Sequence, residues 1–560
     1  MDDERLHLTE LGSAWARSDL PATRELLRST YAAPEVYDRA LMEHLNATGL
    51  QLRSQVRRID LFGDLVGRHL AQPRAFVFAH PSEETWRELS YRELDEETAR
   101  LATSWLRKGL QAGARLALLT PPGPKTWLAL LTALRLGVTP VVFPFGAGRG
   151  YIRRRLLAHR PAAVATGEEV AAALDIDLLE VPVRAPPGLP PTGGLSHRFE
   201  ALAPALEVHS GFQPAVDGGV SISAGQLASR LGTDAFLTFQ LRAGMRMAAP
   251  GLEPSRHQTL PLACLFAGAT WVEASGTLLE ERPTPVELMG VSTDLRDRVL
   301  EHRVKPKGWR RWFKDPSEPH DWSAWRAFEN ALPKETRGQN VVYASALGGA
   351  LLSSPPTEGL NLEVLPSPGL PWVLEEPGVP GQPTESPSGV LALSEGQLGV
   401  STLGRFLLSD AGDSYMYSGS LLAGPRGTDL PAVEIESVAE GHPIVDAAVL
   451  LVNPDPGRFN AVTSTLLLFV DPAREPEPVA PHLARTVEDM IRRDMGFRYV
   501  PDRVVAHPLT PRYLESGLID REWCRFQQQT GGLTRRRRSE IHRLTSLLRR
   551  WGAQRAEGRI

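Results

Sequence analysis

The chain has 560 residues, 42% of them hydrophobic and 23% charged, with a net charge of −4, the values of a soluble globular protein of several domains or one large one. The opening MDDERLHLTE is acidic and has no apolar core, which argues against a secretory or transit peptide, and the best apolar run, WLALLTALRLGVTPVVF, is broken by Arg135 and Pro140 before it reaches membrane-spanning length. Two cysteines, Cys264 and Cys524, exclude a disulfide framework and a cysteine-based metal site, so a cytoplasmic protein without a transmembrane segment is expected.

Residues 1–60 read as a charged, helical N-terminal extension without chemical motifs. From Tyr91 to Leu110 the positions Leu94, Thr98, Leu101, Ala102 and Trp105 share one helical face. Arg115–Thr120 is a short apolar run that predicts a buried strand, a helix follows over Lys125–Leu136 and ends at Gly137, and Thr139–Phe143 predicts a second strand. Strand, helix and strand at this spacing predict a crossover unit in a mostly parallel sheet. Residues 181–195 are rich in Pro and Gly and predict a surface loop. Trp309, Trp312, Trp322 and Trp325 crowd residues 309–325, read as aromatics that pin a long loop onto a core, with a binding platform as the alternative. Residues 365–388 are again loop-rich, and strands with tight turns follow to about 420. A smaller α/β unit is expected to about 530, with strands at Asp446–Val452 and Thr465–Val470 and a helix near Ala484–Arg493. From Thr534 onward nine arginines face two glutamates, with Ile541, Leu544, Leu548 and Trp551 at helical spacing. That basic amphipathic tail either packs on its own domain or meets a partner groove, an anionic surface or nucleic acid.

Lysine usage restricts chemistry. Only six of the 62 basic residues are lysine, and none follows Lys334. The sequence has no Gly-x-Ser-x-Gly elbow, His-Glu-x-x-His, Gly-x-x-x-x-Gly-Lys loop or Gly-x-Gly-x-x-Gly fingerprint. GAGRG at 146–150 reads as an ordinary loop, His209 as a satisfied or solvent-facing histidine, and Cys264, inside LPLACLFAGATWV, as a buried inert thiol.

The stretch LSYRELDEETARLATSWLRKGLQAGARLALLTPPGPKTWLALLTALRLGVTPVVFPF resembles the adenylate-forming superfamily of acyl-CoA synthetases, non-ribosomal adenylation domains and luciferases. VEIESVAEGHPIVDAAVLLV and YVPDRVVAHPLTPRYLESGLID resemble that family's small C-terminal domain. The resemblance runs with interruptions from about residue 60 to 525. It implies an α/β fold: a large N-terminal domain of mostly parallel sheets with helices over 61–419, a small α+β C-terminal domain over 420–530, and the tail over 531–560.

It also implies a chemistry, the attack of a carboxylate on the α-phosphate of ATP. That reaction needs a Gly/Ser/Thr loop with a lysine for the phosphates, a carboxylate for Mg²⁺, an aspartate for the ribose and a lysine from the small domain. The phosphate loop falls on Ser210-Gly211-Phe-Gln-Pro-Ala-Val-Asp217-Gly218, with Pro214 in place of a glycine and Asp217 in place of the lysine. An aspartate repels a triphosphate, and proline removes a backbone donor. The tyrosine motif falls on Tyr343-Ala-Ser-Ala-Leu347, so the magnesium carboxylate is Leu347. The ribose aspartate aligns with Arg405, a donor-only side chain, and the later arginine with Asp429. The catalytic lysine corresponds to Leu518, with Arg512 and Arg521 nearby as unlike substitutes. Ser210, Gly211, Gly218 and Tyr343 remain as residual nucleotide-pocket candidates, and Glu434-Ile-Glu436 is kept in a structural role.

The expectation is therefore a ligase-like protein without acyl-adenylation, without catalytic residue, metal or cofactor. It would serve as a binding, scaffolding or regulatory partner for an acyl ligand, a carrier protein or a biosynthetic partner protein. The alternatives are an active but atypical acyl-activating ligase, which would need ATP and Mg²⁺, and an interaction protein acting through its arginine-rich tail.

Overall fold

A computed structural model describes residues 7–32, 34–79, 86–120, 123–143, 152, 155–156, 160–166, 178–191, 193, 195–208, 220–252, 257–273, 279–280 and 285–316. It continues over 322–344, 348–359, 363–370, 372–375, 383–385, 388–393, 401–408, 414–420, 432–454, 462–470, 481–507, 511–512, 519 and 521–533. Two compact units emerge, residues 1–145 with 153–419 and residues 146–152 with 420–560. The basic tail beyond 533 lies outside the described residues.

In the first unit, helices Leu8–Ala16, Leu20–Ala32 and Pro34–Leu45 bury Leu8, Leu11, Trp15 and Leu41 in the same core as Leu231 and Phe266. The segment expected as an extension is thus packed into this unit. Helix Tyr91–Arg107 starts in a capping box: the Glu93 amide donates to the Ser90 hydroxyl and the Ser90 amide donates to the Glu93 carboxylate. Its buried face carries Leu94, Thr98, Leu101, Ala102 and Trp105. The polar member, Thr98, donates to the Leu94 carbonyl at 2.8 Å and accepts from Arg135 at 3.1 Å. Arg135 interrupts the apolar run of helix Pro124–Leu136, and it is buried there because it pairs with Asp95 at 2.8 Å and lies over the Phe62 ring. Gly137, with φ +74°, ends that helix in the left-handed conformation that glycine adopts without strain.

Strands Arg115–Leu119 and Thr139–Val142 pair in parallel, as their separation by one helix predicts. They are the centre of a six-stranded sheet in which only Val220–Ser223 runs antiparallel to its neighbour, Pro204–Val208. A thirteen-stranded sheet has a parallel half and an antiparallel half. The parallel half runs from Phe76–Ala79 through Thr270–Glu273, Arg246–Ala248, Leu288–Gly290 and Arg311–Lys314 to Arg337–Ala344. From there Gly349–Ser353 and the later strands pair antiparallel.

The tryptophan-rich segment differs from the loop its sequence suggested. Trp312 sits on the parallel strand Arg311–Lys314, and Trp322 opens helix Trp322–Ala331, which carries Trp325. Trp309, Trp312 and Trp325 are buried and form a core with Phe328 and Leu332. Trp312, Phe313 and Lys314, buried in succession between parallel neighbours, give no alternating pattern, which is why the strand leaves little trace in the sequence.

In the second unit Val445–Pro454 and Val462–Val470 form an antiparallel pair and Arg503–His507 joins the latter in parallel. Helices Ala432–Glu440, Pro481–Met495 and Arg521–Gln529 complete it. Val449, Leu451, Leu467 and Phe469 pack with Cys524 and Leu533. Among the described residues no helix is long and apolar enough to cross a membrane. Both cysteines are buried and neither forms a disulfide; burial pushes the Cys264 thiol far above its ordinary range, which keeps it protonated and inert.

Candidate functional site

A strand alternates its side chains, so Trp271 and Glu273 of Thr270–Glu273 share a face. Trp127 approaches that face from the first turn of helix Pro124–Leu136. Its indole N–H donates to Glu273 Oε2 at 3.2 Å, and the Trp271 indole N–H donates to the same oxygen at 2.7 Å. Neither reaches Oε1. Gln258, just before helix Leu260–Phe266, donates from Nε2 to the Phe143 carbonyl at 3.3 Å, while its buried Oε1 has no hydrogen-bond partner among the described residues. These groups line a cavity of about 150 Å³ in the first unit, with Leu252 among its apolar walls. Thr120 and Thr126 meet at the same place and hydrogen-bond one another at 2.7 Å. No lysine or arginine lines the cavity among the described residues. The arrangement is suited to holding a small ligand against acceptor oxygens and aromatic surface.

Tyr343 stands on strand Arg337–Ala344, paired with Ala350 across a hairpin. Its ring is fully buried, stacked on the His257 imidazole with centroids 5.4 Å apart and an interplanar angle of 17°. Phe239 lies 6.4 Å from it, and its hydroxyl is 3.0 Å from that of Thr259. A nucleotide base stacking on this ring would have to displace His257. Asp234 lies beneath the hairpin, taking the Ala350 amide at 3.2 Å on both carboxylate oxygens. A Cβ at Gly349 would come within 2.5 Å of that carboxylate, so only glycine permits the approach. Burial pushes the Asp234 carboxyl up to about 7, against the opposing pull of the Ala350 amide and Arg230. Arg230 itself donates to the Pro368 carbonyl at 2.9 Å. The network anchors the hairpin that carries Tyr343.

Arg405 lies on strand Ser401–Leu408, opposite Val390. Ser210, Gly211, Asp217, Gly218, Leu347, Asp429 and Leu518 lie outside the described residues, as do His209 and the GAGRG turn. In the second unit Arg521 is held by both carboxylate oxygens of Glu436 at 2.6 Å, and Glu436 also accepts the Leu450 amide at 2.6 Å. Glu436 therefore joins helix, strand and following helix, and the guanidinium of Arg521 is engaged in structure. Arg512 is exposed.

Glu273 and Gln258 had no motif to single them out. The one local signal was a glutamate two residues after a tryptophan at the end of an apolar strand. Its partner Trp127 stands 146 residues away in sequence.

Residues 66–189 match a family model described as AMP-binding enzyme. No curated protein matches the sequence. Among solved structures the chain is similar to a double mutant of o-succinylbenzoate CoA synthetase from Bacillus subtilis, with a TM-score of 0.65 and 14% identity over 83% of this chain and 98% of that one. It is similar to the amide bond synthetase McbA from Marinactinospora thermotolerans, with a TM-score of 0.63 and 16% identity over 84% and 99%. Acetoacetyl-CoA synthetase from Streptomyces lividans gives a TM-score of 0.60 and 15% identity over 92% and 93%.

Proposed function

We propose that this chain, which has the fold of the adenylate-forming ligases, does not form acyl-adenylates and works in the cytoplasm as a binding or regulatory partner of an acyl- or carrier-protein-dependent pathway. The observation that carries this reading is the absence of any lysine after Lys334, which leaves the small domain without the ammonium that the family's reaction uses. Arginine does not replace it simply, because its charge is spread over a planar fork. Arg521, the nearest described candidate, is held by Glu436. The covered face of Tyr343 and the aligned Asp217, Leu347 and Arg405 support the same reading at the nucleotide.

A second reading, an active but atypical acyl-activating ligase, is supported by the retained two-unit architecture. The two are separated by pyrophosphate release from ATP·Mg²⁺ with a panel of aliphatic and aromatic carboxylic acids. The first predicts release no faster than in protein-free controls. Acid-dependent release would establish the second. Deleting residues 534–560 is expected to leave ligand and partner binding intact; loss of binding on deletion, with steep salt dependence in the full chain, would move the function to the tail.

A further inference from the structure

The cavity bounded by Trp127, Phe143, Trp271, Gln258 and Glu273 has a chemistry that selects its ligand. Beside the paired Thr120 and Thr126 hydroxyls and the His257 imidazole, it presents two side-chain carbonyl-type acceptors, those of Glu273 and Gln258. Both indole N–H groups converge on Glu273 Oε2, so Oε1 receives no hydrogen bond among the described residues. Gln258 uses its amide N–H on the Phe143 carbonyl, and its buried Oε1 likewise receives none. Two oxygens with unused acceptor capacity favour a ligand that brings N–H donors, and at Gln258 Oε1, which is buried, an acceptor without a donor is costly.

Charge sharpens the choice. Glu273 is the only Asp or Glu in the lining, and no lysine or arginine lines the cavity among the described residues. A carboxylate ligand would meet like charge at short range, whereas a cation meets a carboxylate already oriented by two indoles. Apart from Thr120, Thr126 and His257 the other side-chain walls are aromatic and aliphatic, and the rings of Trp127, Trp271 and Phe143 favour a cation over an anion through their quadrupoles. The volume of about 150 Å³ suits a ring-sized body, the size of cavity that takes up benzene. A quaternary ammonium has no N–H for the two acceptors, and a plain hydrocarbon leaves both unmatched.

We propose that this cavity is a binding site for a small primary ammonium ion with a ring-sized apolar body, its N–H groups on Glu273 Oε1 and Gln258 Oε1 and its body against Trp127, Phe143 and Trp271. Glu273, Gln258, Trp127, Phe143 and Trp271 lie at none of the positions aligned with the nucleotide motifs, while His257, which stacks on Tyr343, borders the same cavity.

Calorimetric titration of the full chain near neutral pH with benzylammonium chloride, benzyl alcohol and sodium benzoate tests it, three probes of like size that differ in charge and donors. Benzylammonium is expected to bind saturably, at least about tenfold more tightly than benzyl alcohol, with no saturable benzoate binding. Glu273→Gln is expected to weaken benzylammonium binding at least about tenfold and leave benzyl alcohol unchanged. Gln258→Leu, which keeps the carboxylate and its indole donors, is expected to weaken it several-fold and serves if Glu273→Gln fails to fold. No saturable benzylammonium binding at millimolar concentration would overturn the proposal. So would equal binding of alcohol or benzoate, or affinity unchanged in a folded variant.

Discussion

Two tryptophan-rich regions of the first unit use the same side chain to opposite ends. Around Trp312 the rings satisfy one another. Trp312 and Trp325 stack with centroids 5.7 Å apart and an interplanar angle of 3°, and Phe328 meets both edge-on. The cations that such faces attract are supplied by the chain itself, with Lys314 5.1 Å and Arg296 5.0 Å from the Trp325 centroid. Around Trp127 and Trp271 the indoles serve as donors that fix one carboxylate oxygen, and the rings border a cavity whose described lining includes His257 but no lysine or arginine. A ring cluster that contains its own cation is a structural element. A ring cluster that holds a carboxylate and has no lysine or arginine beside it leaves room for the cation proposed above.

The contrast is broken most strongly from the closed side. Trp312→Ala is expected to cost about 3–5 kcal/mol, read by chemical denaturation, because the stacked partners cannot close the gap. A loss below about 1 kcal/mol would show the cluster to be loosely packed, with ring faces available to a ligand. Glu436→Ala tests a second closed arrangement. It leaves the Arg521 charge and the Leu450 amide without their acceptor, and a loss of about 3 kcal/mol is expected, toward the lower end for a buried pair because Arg521 is partly exposed. An unchanged unfolding curve would free Arg521 for another role.

Asp234 gives a pH-dependent test. Its carboxyl is pushed up to about 7 in the folded protein from an ordinary 3.8, so the folded state holds this proton more tightly than the unfolded chain does. Stability from this group is therefore complete below about pH 4 and lost as pH rises toward 7, by up to about 1.4 kcal/mol per unit. His69 has the opposite sign. Burial, assisted by Arg68, pushes it down to about 4 from 6.5, so it costs stability as pH falls through that window. The two offset one another between about pH 4 and 6.5, and the readout is the difference between Asp234→Asn and the parent chain. That difference is expected to move about 2–3 kcal/mol in the variant's favour between pH 5 and 8. A constant difference would mean that Asp234 titrates as an ordinary carboxylate. The smallest effect is Ser90→Ala, about 1 kcal/mol from the lost cap, which calibrates the others.

What was legible in the sequence follows the range of the interactions. Helix Tyr91–Arg107, strand Arg115–Leu119 and helix Pro124–Leu136 are set by neighbours three or four residues apart, by apolar runs and by Gly137, and the sequence shows them to within a few residues. The second unit's strands are longer than their apolar centres, because Val445–Pro454 continues through polar Asn453. The cavity and the hairpin network were not legible. They join Trp127 to Glu273 across 146 positions and Asp234 to Ala350 across 116, and no local period records such a pairing. Arg135 shows both sides at once. Its charge marks the end of an apolar run, while its reason, Asp95 on the preceding helix and the Phe62 ring, becomes visible only in the fold.

The central claim, that the adenylate-forming fold persists here without its nucleotide chemistry, is tested most directly by calorimetric titration of the full chain with ATP·Mg²⁺, repeated with AMP and a non-hydrolysable acyl-adenylate analogue. The account predicts no saturable heat and no thermal stabilisation with any of the three. Micromolar binding of the adenylate analogue would contradict it, since the base would then have found a face that His257 covers in this structure.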